Sequence, residues 1–155
     1  MRLSPYSFAL PALLLVTGCQ NLPIKQTEKS SDSTARRAPD AQLRETHWVL
    51  RRIGSQKITV PENTSEAFLT LRADGNAEGN AGCNRFRGTF ISETPGELKF
   101  GPLVTTRMSC PAIETENGFS RALRGTLTYR VEGDTLFLQD GAHAPLARLE
   151  AVYLH

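Results

Sequence analysis

The chain has 155 residues, 39% of them hydrophobic and 22% charged, which suits one packed domain of ordinary size and is too apolar for a wholly disordered chain. Its formal net charge of +2 is unevenly placed: from Glu45 onward, 12 lysines and arginines stand against 13 carboxylates. The concentrated basic surface that a nucleic-acid partner needs for counterion release is therefore not expected on the folded part.

The first segment, residues 1–18, reads as a secretory signal: Arg2, then the apolar run Phe8 to Val16, then small residues. It is too short to span a bilayer, which takes about 20 apolar residues, and Pro11 removes an amide donor from any helix there. "LVTGC", Leu15 to Cys19, resembles the bacterial lipobox, in which the cysteine is lipidated and becomes the first residue of the mature protein. The resemblance implies a membrane anchor at Cys19, since several acyl chains hold where one does not. Gln20 stands where an inner-membrane retention signal has aspartate. The expected location is thus the periplasmic face of the outer membrane, with the inner membrane as the alternative. Residues 19–45 follow as a tether, rich in Ser, Thr, Lys, Arg and Ala and unable to offset the entropy of ordering. A flexible coil of about 25 residues spans roughly 25–30 Å.

Residues 46–155 follow a period of two and are expected to form the folded domain. His47 to Ile53 and Glu66 to Arg72 read as strands, the second with Leu69 and Leu71 on one face and Phe68 and Thr70 on the other. Asp74-Gly75 reads as a type I′ hairpin turn, with the chain returning through Ala77 to Ala81. Arg85 to Ile91 is the next strand, Thr94 to Glu97 a turn, and Leu98 to Phe100 a short strand. Pro111 to Gly125 breaks the pattern: acidic residues early, Arg121 and Arg124 late, and a stripe of Ala112, Thr115, Phe119, Ala122 and Leu123 predict an amphipathic helix. Gly118 sits unfavourably within it. Strands resume at Thr126–Glu132, with Leu127, Tyr129 and Val131 on one face, then at Thr135–Gln139 and Ala144–Leu154. The turns between them are Gly133-Asp134 and Asp140-Gly141. Trp48 is expected in the core. The fold class expected is α+β, a single antiparallel domain of about 6–8 strands with one helix inserted late.

"GNAEGNAGCNRFRG", Gly75 to Gly88, is the stretch that most invites a chemical reading. It lacks the lysine and hydroxyl of a P-loop, and the strand that follows it is not the helix of a dinucleotide fingerprint. Its glycines therefore read as turns or close strand crossings. Cys83 as a nucleophile needs a base, and His47, His143 and His155 are all distant in sequence. Two remaining cysteines with scattered histidines make no four-ligand zinc site, so no metal and no cofactor is expected. With Cys19 lipidated and an oxidising compartment, Cys83 and Cys110 are expected to pair; two buried free thiols, or a thiol enzyme using Cys83 or Cys110, are the alternatives. Glu114 and Glu116 read as charges at a helix start, since positions two apart do not share a helix face.

"GNAGCNRFRGTF", Gly79 to Phe90, "LVTTRMSC", Leu103 to Cys110, and "E..F..AL", Glu116 to Leu123, together resemble the META domain of HslJ-like proteins. "W.L..I" from Trp48 and "GDTLFL", Gly133 to Leu138, agree with it. The resemblance implies an open or cracked β-barrel with a helix at its side, in an envelope protein without agreed enzymatic activity. No catalytic residue carries over; the motif positions are Gly82, Cys83, Asn84, Arg85, Gly88, Thr106, Met108 and Cys110. Asn84 is expected as a turn residue, and Asn84 with Arg85 as the first candidate surface for a protein partner in the envelope. The expected function is a non-enzymatic binding or assembly factor in envelope maintenance or stress response. A carrier of lipid or a small apolar ligand, in a cavity lined by Phe119, Leu123, Leu127 and Tyr129, is the rival.

Overall fold

The computed structural model describes residues 39–153. Cys19, the signal segment and most of the expected tether lie outside these residues. Ten strands and one helix follow in chain order: β1 (His47–Ile53), β2 (Gln56–Lys57), β3 (Phe68–Leu71), β4 (Asn76–Asn80), β5 (Arg85–Ile91), β6 (Lys99–Phe100), β7 (Val104–Thr105), α1 (Ile113–Gly125), β8 (Thr128–Glu132), β9 (Thr135–Gln139) and β10 (Pro145–Val152). All eight expected strands are present. The two additions, β2 and β7, are two residues long and too short to carry a periodic signal.

The sheet runs β6-β5-β4-β3-β1-β10-β9-β8, with β2 on β1 and β7 on β5. All of its pairings are antiparallel. Its two ends meet at one bridge, Glu97 with Thr128, where Leu98 N donates to Leu127 O and Tyr129 N to Gly96 O. The sheet is curled but not closed. Alternation puts Trp48, Leu50, Leu69, Leu71, Ala77, Phe86, Phe90, Leu136, Leu138 and Leu149 inside, each no more than 5% exposed.

Helix α1 lays Phe119, Ala122 and Leu123 on that core, and Phe119 meets the Phe86 ring edge-on at 6.1 Å. Phe119 and Leu123 each contribute about 2 kcal/mol on burial, together more than the helix loses by having no side-chain cap at Ala112. Gly118 has a packing reason: a Cβ there would stand 2.9 Å from Ile53 Cδ1. The helix ends at Thr126, whose chain turns extended; its buried hydroxyl donates to Ala122 O at 2.8 Å.

Three expectations are corrected. The folded unit begins before residue 46: Ala41 N donates to Gly133 O, Glu45 N donates to Leu71 O, and Leu43 packs on the core beneath Trp48, whose Nε1 bonds Leu43 O. The β3–β4 hairpin is not type I′, because Gly75 takes positive φ (86°) but Asp74 does not. Gly75 N donates to Arg72 O and Arg72 N to Asn76 O, a three-residue loop with the left-handed residue last. The β9–β10 turn falls at Asp140-Gly141 as expected, with His143 (φ 61°) as its left-handed residue and Asp140 Oδ1 accepting from Ala142 N and Ala144 N. Leu127 precedes β8 and is 43% exposed, so only Tyr129 and Val131 of its expected face reach the core.

Candidate functional site

Two constructions occupy the β4–β5 region. The first is a clasp around one buried side chain. Cys83 and Cys110 are joined by a disulfide, Cα to Cα 5.8 Å, tying the β4–β5 connection to the residues before α1. Beside it, Asn84 is 3% exposed, and a buried amide must find partners for all its polar atoms. Its Oδ1 accepts from Thr106 Oγ1 and Met108 N, both at 2.8 Å. Its Nδ2 donates to Met108 O at 3.0 Å and to Glu116 Oε2 at 2.9 Å. Its backbone N also reaches Glu116 Oε2, at 3.1 Å. Thr106 completes the lattice, its Oγ1 accepting from Arg85 N and its N donating to Arg85 O. Two segments, Thr106–Met108 and the first turn of α1, thus close on one side chain.

Asn84 is therefore not the exposed partner residue expected; it does close the β4–β5 turn, with Ala81 N donating to its O, but its side chain bonds residues 22 to 32 away instead of nearby backbone. Arg85, the next residue, is exposed: it opens β5 with its side chain on the outer face, where Arg87 also lies. Both cysteines are bonded to each other, so neither is a thiolate here. His47 stacks on Phe68 with ring centroids 4.4 Å apart, and His143 Nδ1 lies 3.3 Å from Thr128 Oγ1. Glu116, read from sequence only as a helix charge, is the third arm of the clasp. A hydrogen bond between residues 32 apart leaves no periodic trace. Glu114, by contrast, is exposed.

The second construction is an open groove of about 960 Å³ on the outer face of β3, β4 and β5, bordered by β7. Its lining comes largely from alternate residues of adjacent strands: Phe68, Thr70 and Arg72; Asn76, Glu78 and Asn80; Arg85, Arg87 and Thr89. The charges are unequally committed. Arg72 pairs with Glu45 at 3.0 Å and Glu78 at 2.6 Å; its hydrogen bond to Glu78, then that to Glu45, raises its pKa further above the usual arginine value. Glu45 is held below the usual glutamate value, first by the Ala73 backbone N–H and then by Arg72. Asp74 is lowered chiefly by the Asn76 backbone N–H. Arg87 reaches Glu78 only at 3.5 Å, with its side chain 78% exposed. Arg85 pairs with no carboxylate among the described residues.

Of the residues expected to line a lipid cavity, Phe119 and Leu123 are fully buried, and none of the four lines the groove. Among the described residues, no cluster of three or more metal-ligating side chains occurs, and no helix is long and apolar enough to cross a membrane. The groove's charges were readable as period-two positions on three strands, but their ion pairing depends on which strands become neighbours.

No curated protein matches the chain. Among solved structures, an NMR structure of a protein from Burkholderia xenovorans is similar, with 26% identity and a TM-score of 0.58, over 72% of this chain and 85% of that one. A second NMR structure has 23% identity and a TM-score of 0.56, over 70% of this chain and 91% of that one, a likeness of fold. The family model described as META domain matches residues 41–153, which begins where the Ala41 backbone first bonds the sheet. The chain belongs to the META domain family.

Proposed function

We propose that this chain is a lipoprotein anchored at Cys19 to the periplasmic face of the outer membrane, where its META domain works as a non-enzymatic binding or assembly factor for another envelope component. One observation carries the binding reading: the polar atoms of the signature residues Asn84 and Thr106 are spent inside the clasp, while the neighbouring outer face presents an open groove in which Arg85 pairs with no carboxylate among the described residues. A catalytic site keeps reactive groups within reach of substrate; the clasp turns them toward one another. The membrane address rests on the lipobox resemblance of Leu15 to Cys19.

In-cell photocrosslinking from positions Thr89 and Thr105, both at the groove, tests the binding reading. A discrete envelope adduct, absent when the photoreactive residue is moved to exposed Arg124 on α1, is the expected result. Adducts of equal pattern from both faces would reject a dedicated surface. Fractionation of Cys19→Ser tests the address separately, with release from the membrane fraction as the expected outcome.

A further inference from the structure

We infer that the groove receives an extended acidic segment of a partner protein, with alternate carboxylates of that segment paired to Arg85 and Arg87. This rests on the binding reading above and names the chemistry of its partner. Charge complementarity is the first support. Of the three arginines lining the groove, Arg72 is tied by two carboxylates at 3.0 and 2.6 Å, Arg87 is held only at 3.5 Å, and Arg85 pairs with none among the described residues. Two guanidinium forks are thus open to carboxylates, which they bind bidentately.

Spacing is the second support. Arg85 and Arg87 stand two residues apart on one face of β5, which at about 3.3 Å per residue separates them by roughly 6.6 Å. An extended peptide repeats its side chains on one side at the same interval, so acidic residues at alternate positions meet both arginines without bending the chain. The walls suit what lies between them. Phe68 is half-buried and stacked on His47, Val104 is 75% exposed, and Asn80, Thr89 and Thr105 present hydrogen-bonding groups. A recess with such walls fits a polypeptide better than the flat headgroup plane of an anionic membrane.

Glu78 gives the groove an internal competitor. It sits between Arg72 and Arg87 and contacts both, so an incoming carboxylate must displace its hold on Arg87. Removing that charge should strengthen binding, whereas a purely structural Glu78 would leave binding unchanged or weaker.

The test uses the full chain carrying Cys19→Ser, which removes the acyl chains that would confound a vesicle arm. Fluorescence anisotropy is followed with a labelled peptide of about twelve residues alternating glutamate and threonine, an isomer with the glutamates in one block, and a glutamine counterpart. The alternating peptide should bind best and the glutamine peptide least. Arg85→Glu/Arg87→Glu should weaken binding by at least about tenfold. Arg121→Glu/Arg124→Glu, an equal charge change on exposed positions of α1, should leave it nearly unchanged, and Glu78→Gln should tighten it about threefold. Unfolding midpoints confirm that the variants fold, with Arg85→Gln/Arg87→Gln as the milder substitute.

Equal binding by all three peptides, or equal loss from the two reversal variants, would overturn the inference. So would binding to phosphatidylglycerol vesicles or to inorganic phosphate through Arg85 and Arg87 with no peptide preference. Envelope adducts that persist in Arg85→Glu/Arg87→Glu cells would sink the acidic-segment inference while leaving the binding reading intact. Peptide binding in vitro without any adduct in cells would sink the binding reading and, with it, the inference that rests on it.

Discussion

Asn84 and Arg85 are neighbours in the chain and opposites in the structure. Asn84 lies at 3% exposure with both ends of its amide bonded; Arg85 is exposed with its guanidinium unpaired among the described residues. The step from the β4–β5 bend into β5 divides the signature into a half that holds the fold and a half that faces outward. A family motif can therefore hold a structural joint and, one residue away, an exposed side chain that the joint does not use.

That division is open to attack from its strongest side first. Replacing Cys83 and Cys110 by serine frees a sequence separation of 27 residues and should cost about 3.5 kcal/mol of stability by the chain-entropy relation. Urea unfolding of the reduced and oxidised wild type gives the same comparison without mutation. Asn84→Ala leaves the Glu116 carboxylate only the backbone N–H of residue 84 and unpairs both Met108 backbone groups from the amide, and should cost about 3 kcal/mol. Asn84→Asp should be no milder, since it sets a second carboxylate against Glu116. Substitution within β4 sharpens the contrast between backbone and side-chain contacts. Gly79→Ala would put a Cβ 2.7 Å from Phe86 Cζ and closer still to the Phe68 carbonyl, for a loss of about 2 kcal/mol. Gly118→Ala meets only the tip of Ile53, and the helix propensity gained, about 1 kcal/mol, should leave stability near the wild-type value.

The smallest effect is set by pH. Glu45 and Asp74 have folded-state pKa values below their ordinary ones, so the unfolded chain binds protons first as pH falls. Their stabilisation is complete above the unfolded value near 4 and is lost as pH drops through the lower folded values. Both are surface carboxylates, so the slope should be shallow. Glu45→Gln should flatten it further, which thermal unfolding between neutral and acid pH would detect.

Most of the scaffold was legible because strands with one buried face write their register into alternating residues. His47–Ile53, Arg85–Ile91 and Thr135–Gln139 appear with the expected limits, and the α1 stripe announced its buried face. The hairpin at Asp74-Gly75 shows where local rules run short: the dipeptide marks a turn, but loop length and the partner strand decide which residue takes positive φ. The clasp was half visible. Counting cysteines located the disulfide, whereas Glu116 could not be matched to Asn84, because helix periodicity describes which face a residue occupies and not what meets it. The beginning of the domain was placed late for a related reason. Asp40 to Thr46 carries few apolar residues, yet Leu43 and the backbone bonds to Gly133 and Leu71 tie it to the sheet.

The most direct test of the division between joint and surface is urea unfolding of Asn84→Ala and Arg85→Ala, measured side by side under oxidising conditions. We predict a loss of about 3 kcal/mol for Asn84→Ala and a change within about 0.5 kcal/mol for Arg85→Ala. Equal losses, or a larger loss at Arg85, would contradict it.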